Sequence, residues 1–171
     1  MKQVYLLHGK GGSPKGTVSK LEPLLHDAHP EFIYHRLLLP HHDPNAPAEN
    51  SVRYLQEFSF PPGSWLIGIS LGGLVAAKLQ EAGRADLRVV AISSPTWADG
   101  VRLLDKPATR IAIYSSQDDV IAGRTADWPN LAEAYDLPWL THDTDAHKAR
   151  LCRLLNWWLE GKPLAAAAQS V

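Results

Sequence analysis

Cysteine is nearly missing from this sequence: Cys152 is the only one in 171 residues. An internal disulfide, a zinc ribbon and a redox-active cysteine pair each need at least two, so all three are excluded. Long hydrophobic runs are missing as well. No window approaches the roughly 18 consecutive apolar residues of a membrane span, and the apolar run near the N-terminus is too short for a signal peptide. Nor does one sign of charge dominate, since 17 Lys and Arg stand against 18 Asp and Glu. A nucleic-acid-binding surface calls for a clear basic excess. What is present is a globular composition, 45% hydrophobic and 20% charged, in a chain long enough to bury a core without staples. The expectation is a single cytoplasmic domain over residues 1–162, with 163–171 as a frayed tail.

Short apolar runs alternate with amphipathic stretches along the whole chain. Strands are predicted at 4–7, 32–38, 65–69, 87–92, 110–114 and 137–141. Helices are predicted from Val18 to His29, over 48–57, over 71–82 and over about 146–160. The first helix shows apolar spacing of helical period and stops at His29-Pro30, because proline cannot extend the ladder and restricts the residue before it. The last carries Leu151, Leu154, Leu155 and Trp158 on one stripe and ends at Gly161-Lys162-Pro163. Strands alternating with helices imply a six-stranded, mostly parallel, doubly wound sheet with helices on both faces. Ligands of such sheets bind beyond the carboxyl ends of the strands, so the loops that follow strands must carry any chemistry.

One of those loops holds the sharpest motif. Gly68-Ile69-Ser70-Leu71-Gly72 fits G-x-S-x-G between a predicted strand and a predicted helix, which is the setting of a nucleophile elbow. The turn is tight enough to require glycine on either side of the serine. The helix that follows offers free N–H groups and the positive end of its dipole. A serine hydroxyl attacks only when a base removes its proton and a carboxylate orients that base. In this fold the acid and then the base follow the serine in chain order, each after a later strand. The loop Ser115-Ser116-Gln117-Asp118-Asp119-Val120-Ile121 offers Asp118 and Asp119, which composition cannot separate. The loop from His142 to His147 offers two histidines. His147 is preferred because it continues the apolar stripe of the last helix and so points toward the sheet, with His142 as the alternative. Asp145 reads as a cap or first-turn acid of that helix.

A tetrahedral oxyanion needs two backbone donors. One is the Leu71 amide; the other is expected from His8-Gly9-Lys10-Gly11-Gly12, with the Lys10 amide preferred over that of Gly11. A phosphate loop is excluded there. Gly9-Lys10 is followed by Gly11 rather than Ser or Thr, and Pro14 occupies the place of the last glycine in a dinucleotide fingerprint.

Together, His8-Gly9, Gly68-Ile69-Ser70-Leu71-Gly72-Gly73, Asp118 and His147 resemble the α/β-hydrolase superfamily, in particular the small lidless bacterial YqiA-type esterases, over residues 2–160. The resemblance implies a minimal α/β-hydrolase fold without a cap domain. It also implies Ser70 as nucleophile, Asp118 as acid, His147 as base, and the Lys10 and Leu71 amides as oxyanion hole. Two positions depart from the family pattern: Ser115 stands where glycine is usual, and Asp145-Ala146 precede the histidine in place of glycines.

The remaining features receive plainer readings. His41-His42-Asp43 lacks the i, i+4 histidine pair of a zinc helix, so neither metal nor cofactor is expected. His41, His42, Trp97 and Val120 follow strands and are expected at the rim, as substrate contacts. Cys152 lies inside the last helix as a packing residue. The segment from Ser93 to Arg110 has ordinary crossover length, too short for a lid. The expected activity is hydrolysis of carboxylic esters or thioesters with short or exposed acyl groups, on a small-molecule or acylated substrate, without a nucleic-acid or membrane partner. The rival reading is a hydrolase-like fold kept as a binding or scaffold module.

Overall fold

Side-chain alternation along the strands settles the architecture. The structure is a computed structural model describing residues 1–171. Its elements run β1 (Gln3–Leu7), α1 (Val18–Ala28), β2 (Ile33–Leu37), α2 (Ala48–Glu57), β3 (Trp65–Ile69), α3 (Leu71–Glu81) and β4 (Arg88–Ile92). After these come a small hairpin of β5 (Trp97–Ala98) and β6 (Val101–Arg102), then β7 (Arg110–Tyr114), α4 (Trp128–Leu131), β8 (Glu133–Asp136), α5 (Lys148–Leu159) and α6 (Leu164–Ser170). Val4, Leu6, Ile67, Ile69, Val90, Ile92 and Ile113 point to one face, where α1, α5 and α6 cover them. Tyr5, Leu7, Leu66, Val89, Ala91, Ala112 and Tyr114 point to the other, beneath α2 and α3. A sheet buried on both faces in this way is the reason its strands read as continuous apolar runs.

The six long strands lie in the order β2-β1-β3-β4-β7-β8, and every neighbouring pair is parallel. The chain winds outward from β1 to β2, then returns to place β3 on the other side of β1 and continues through β4. The strand order therefore reverses between β1 and β3, and the loops leaving those two strands diverge there. That crevice is the position where such sheets bind ligands. The protein has no helix long and apolar enough to cross a membrane.

Near the start of β7, a charged side chain is built into the core. Arg110 is fully buried, and all five of its N–H donors are used. They reach Gln80 Oε1, the carbonyls of Asp105, Leu131 and Ala77, and Glu81 Oε2 at 3.1 Å. Glu81 in turn accepts from the Leu104 amide. This one guanidinium ties α3, the crossover before β7 and the end of α4 together.

Several elements differ from the sequence reading, among them the short α4, which it did not place. The last strand lies at Glu133–Asp136, not at 137–141. Its ladder with β7 ends where the Leu137 amide bonds Tyr114 O, and Leu140 turns back onto Leu137 O. Leu137 and Leu140 are apolar because they are buried, and burial alone does not make a strand. The hairpin at 97–102 is additional. Asp99 and Gly100 both adopt positive φ, 47° and 83°, as a two-residue turn of the I′ type requires. Residues 164–170 form a helix rather than a frayed tail, anchored by buried Leu164 and Ala167.

Candidate active site

At the end of β3 the chain turns directly into α3, and Ser70 sits on the turn with φ 52° and ψ −120°. That backbone conformation is costly for any residue with a side chain, and persists only where the surroundings enforce it. Here they do. A Cβ on Gly72 would lie 2.5 Å from Leu7 O and 2.6 Å from His8 O; one on Gly68 would strike the backbone of Gly72 and Gly73; one on Gly73 would strike Ser94 Oγ. The Ser70 amide is held by Ile92 O at 2.8 Å. The hydroxyl is thus presented above the sheet, partly open to solvent.

Ser70 Oγ donates to His142 Nε2 at 3.1 Å, and His142 Nδ1 donates to Asp118 Oδ2 at 2.7 Å. Asp118 is buried, and its other oxygen accepts from the Val120 amide at 3.0 Å. Asp119, the other acid weighed at this position, is exposed. The preferred histidine is not part of this arrangement. His147 Nε2 pairs with Thr141 Oγ1 at 2.9 Å, and its ring packs 5.6 Å from that of Trp139. The physical reason lies in the two displaced boundaries. Because β8 ends at Asp136, His142 lies deep in a loop, free to reach over the sheet. Because a 3₁₀ turn at Thr144–His147 precedes α5, His147 is the N-cap of that helix, out of phase with its buried stripe. Asp143, not Asp145, caps the turn through the Ala146 amide. Asp145 pairs with Lys20 at 3.1 Å and Lys148 at 3.5 Å.

Two amides beside Ser70 are left without an acceptor in the protein, those of Lys10 and Leu71. Their neighbours in the loop after β1 are committed: Gly11 N–H donates to His41 O at 2.8 Å and Gly12 N–H to Gly9 O at 3.0 Å. His41 was expected at the rim. Instead it is fully buried beneath this loop. Its Nε2–H donates to His8 O at 2.8 Å, and its Nδ1 accepts from Ser51 Oγ at 2.8 Å. His8 Nε2 accepts from the Leu39 amide at 2.9 Å. The His41 side chain and the His41 carbonyl therefore grip residues 8 and 11, on either side of the Lys10 amide.

Burial is the main cause that pushes His41 down to about 4, and burial also lowers His8. Histidines held neutral in the fold but ordinary when unfolded let the unfolded chain bind more protons. Stability from this source is complete above about pH 6.5 and is lost as pH falls toward 4 and below. Urea denaturation at a series of pH values should show a decline on the order of 2–3 kcal/mol across that window. His41→Gln should flatten most of it.

No protein-family model matches the sequence, and no curated protein matches it. Solved structures do. An α/β-superfamily protein from Xanthomonas campestris pv. campestris superposes with TM-score 0.71 at 18% identity, covering 94% of this chain and 99% of that one. The chain has the α/β-hydrolase fold. An α/β-hydrolase enzyme from a sediment metagenome of the Mar Chica lagoon gives TM-score 0.72 at 19% identity, covering 94% and 91% of the two chains. A serine hydrolase without a lid from Xanthomonas campestris gives 0.65 at 16%, covering 92% and 81%. These likenesses do not single out the YqiA-type esterases. In this α/β-hydrolase fold, the stretch between β4 and β7 where a cap could be inserted holds only the β5–β6 hairpin.

A cavity of about 580 Å³ opens over Ser70 and His142, bounded by Lys10, Leu71, Val120 and Arg124 among others. Of the four residues expected as rim contacts, only Val120 lines it. His42 is exposed outside it. Trp97 faces away, with the Arg102 and Arg124 guanidinium carbons 5.3 and 5.4 Å from its ring centroid. Trp97 was expected as a substrate contact because its loop follows β4. The hairpin turns the indole outward and presents Ala98 and Asp99 to the cavity instead. Sequence reasoning missed the role of His41, and no spacing signal pointed to it. It also missed Arg124, four residues beyond Val120 on the acid-bearing loop.

Proposed function

We propose that this protein is a serine hydrolase that cleaves carboxylic esters or thioesters through an acyl-enzyme, with Ser70 as nucleophile, His142 as base and Asp118 as the orienting acid. The observation that carries the reading is the continuous hydrogen-bonded chain from Ser70 Oγ through His142 to buried Asp118, mounted on a strained elbow beside two unengaged amides. His142 Nε2 takes the Ser70 proton as Oγ bonds to the substrate carbonyl carbon. The carbonyl oxygen becomes an oxyanion held by the Lys10 and Leu71 amides. Collapse expels the alcohol or thiol, which leaves with the proton from His142. Water then attacks the acyl-enzyme, His142 takes its proton, and the acid departs as Ser70 is re-protonated. Asp118 keeps the Nδ1–H tautomer in place and offsets the imidazolium charge.

The structural relatives support hydrolysis as the class of reaction, since their names describe hydrolases. The open cavity and the absence of any inserted cap favour short or exposed acyl groups over long lipid chains. A fluorophosphonate probe tests the reading directly. Intact protein mass spectrometry should show one adduct, mapped to Ser70, that fails to form in Ser70→Ala. A folded wild-type protein that stays unlabelled and turns over no p-nitrophenyl acetate removes the proposal.

A further inference from the structure

The charged groups around the cavity are not equivalent. Asp143 is engaged as a turn cap, and Asp99 occupies a positive-φ turn position that favours Asp, Asn or Gly. Both acids have a structural reason to be where they are. Arg124 has no carboxylate partner and no side-chain hydrogen bond, although it is half-buried and lines the same cavity as Ser70. Its backbone is nevertheless firmly placed. Arg124 O accepts from both the amide and the hydroxyl of buried Thr96, at 2.8 and 3.2 Å, and Arg124 N–H bonds Ile121 O at 3.0 Å. The guanidinium rests against Trp97, and Arg102, the cross-strand partner of Trp97, brings a second unpaired cation to the same ring. A planar donor fork fixed at the edge of a cavity, with a second positive charge behind it and no anion to satisfy it, matches an oxyanionic ligand. Lys10 adds another positive group to the lining of the cavity.

We propose that the substrate of this site carries an anionic group, a carboxylate or phosphate separate from the ester being cleaved, that docks on Arg124. This rests on the hydrolase reading, and the test separates the two. In the turnover arm, kcat/KM is compared for mono-p-nitrophenyl glutarate against p-nitrophenyl valerate, which places the charge on the acyl side. The second pair, 4-carboxyphenyl acetate against 4-carbamoylphenyl acetate, places it on the leaving group. One anionic ester should exceed its neutral match by about 10- to 100-fold, the usual weight of a charge-assisted contact, and the pair that responds tells which side of the ester docks. The ratio should fall toward one in Arg124→Ala and invert in Arg124→Glu. Anionic esters no better than neutral ones in the wild type, or a preference that survives Arg124→Glu, overturns the proposal. The binding arm needs no turnover: glutarate titrated calorimetrically into Ser70→Ala should bind, and binding should vanish when Arg124→Glu is added. If no ester is cleaved, the hydrolase reading fails, and this titration alone decides whether the anion site stands.

Discussion

His142→Ala should lower kcat for p-nitrophenyl acetate by about 10⁴-fold or more, while His147→Ala leaves it near the wild-type value. The contrast is sharp because the two histidines are five positions apart and chemically identical. Only His142 touches Ser70 and Asp118. His147 contributes a hydrogen bond to Thr141 and a contact with Trp139, so its loss is felt at the entry to α5 and not at the reacting carbonyl. Asp118→Asn should also cut kcat severely, because an amide cannot hold the imidazole in its Nδ1–H form as a carboxylate does. Asp119→Asn serves as the matched control. Steady-state kinetics on the four variants, each checked by circular dichroism, gives the answer. Full activity in His142→Ala would refute the assignment.

The largest expected effect on stability lies far from this site. Arg110→Met should destabilise the fold by about 3–5 kcal/mol, read as a shift of the urea midpoint at unchanged slope. The methionine nearly fills the volume, so packing loss is small. What remains is the Asp105 and Leu131 carbonyls and Gln80 Oε1 deprived of their Arg110 donors, and Glu81 with Lys78 as its one remaining cation. Acceptors that lose a donor, and a buried carboxylate that loses the nearer of its two cations, each carry a desolvation cost. Glu81→Gln with Arg110→Met together should cost less than Arg110→Met alone, because no nearly buried carboxylate is then left with only the partly exposed Lys78 to pair it.

Much of this arrangement was legible in the chain itself. The central strands announce themselves because they are apolar on both faces, β2 is read from its flanking apolar residues, and the elbow announces itself because Gly68, Ser70 and Gly72 fall between a strand and a helix. The serine, acid and histidine follow in the order the topology demands. The histidine that reaches Ser70 was misread for a reason that can be stated: β8 is an edge strand of four residues with no buried side chain. Leu-Pro-Trp-Leu just beyond it carries the stronger hydrophobic signal. Placing the strand on that run drew His142 to its end and left the helical stripe to argue for His147, which the 3₁₀ turn keeps outside the helix that carries that stripe. The Asp99-Gly100 hairpin, in contrast, had a readable two-residue turn signal. The clamp by His41 had none, since it depends on three residues from separate loops meeting under the sheet edge.

The close approach of α3 to the end of β1 bears on how such a protein can change over time. Because Gly72 lies against the carbonyls of Leu7 and His8, the serine turn and the loop bearing the second amide share one backbone contact and form a single rigid block. Substitution can hardly retune one without disturbing the other. Variation that preserves chemistry is therefore diverted to the residues around the opening, where the side chains of Val120 and Arg124 have no such constraint. The block is held fixed by its own packing, and specificity becomes the part of the molecule free to evolve.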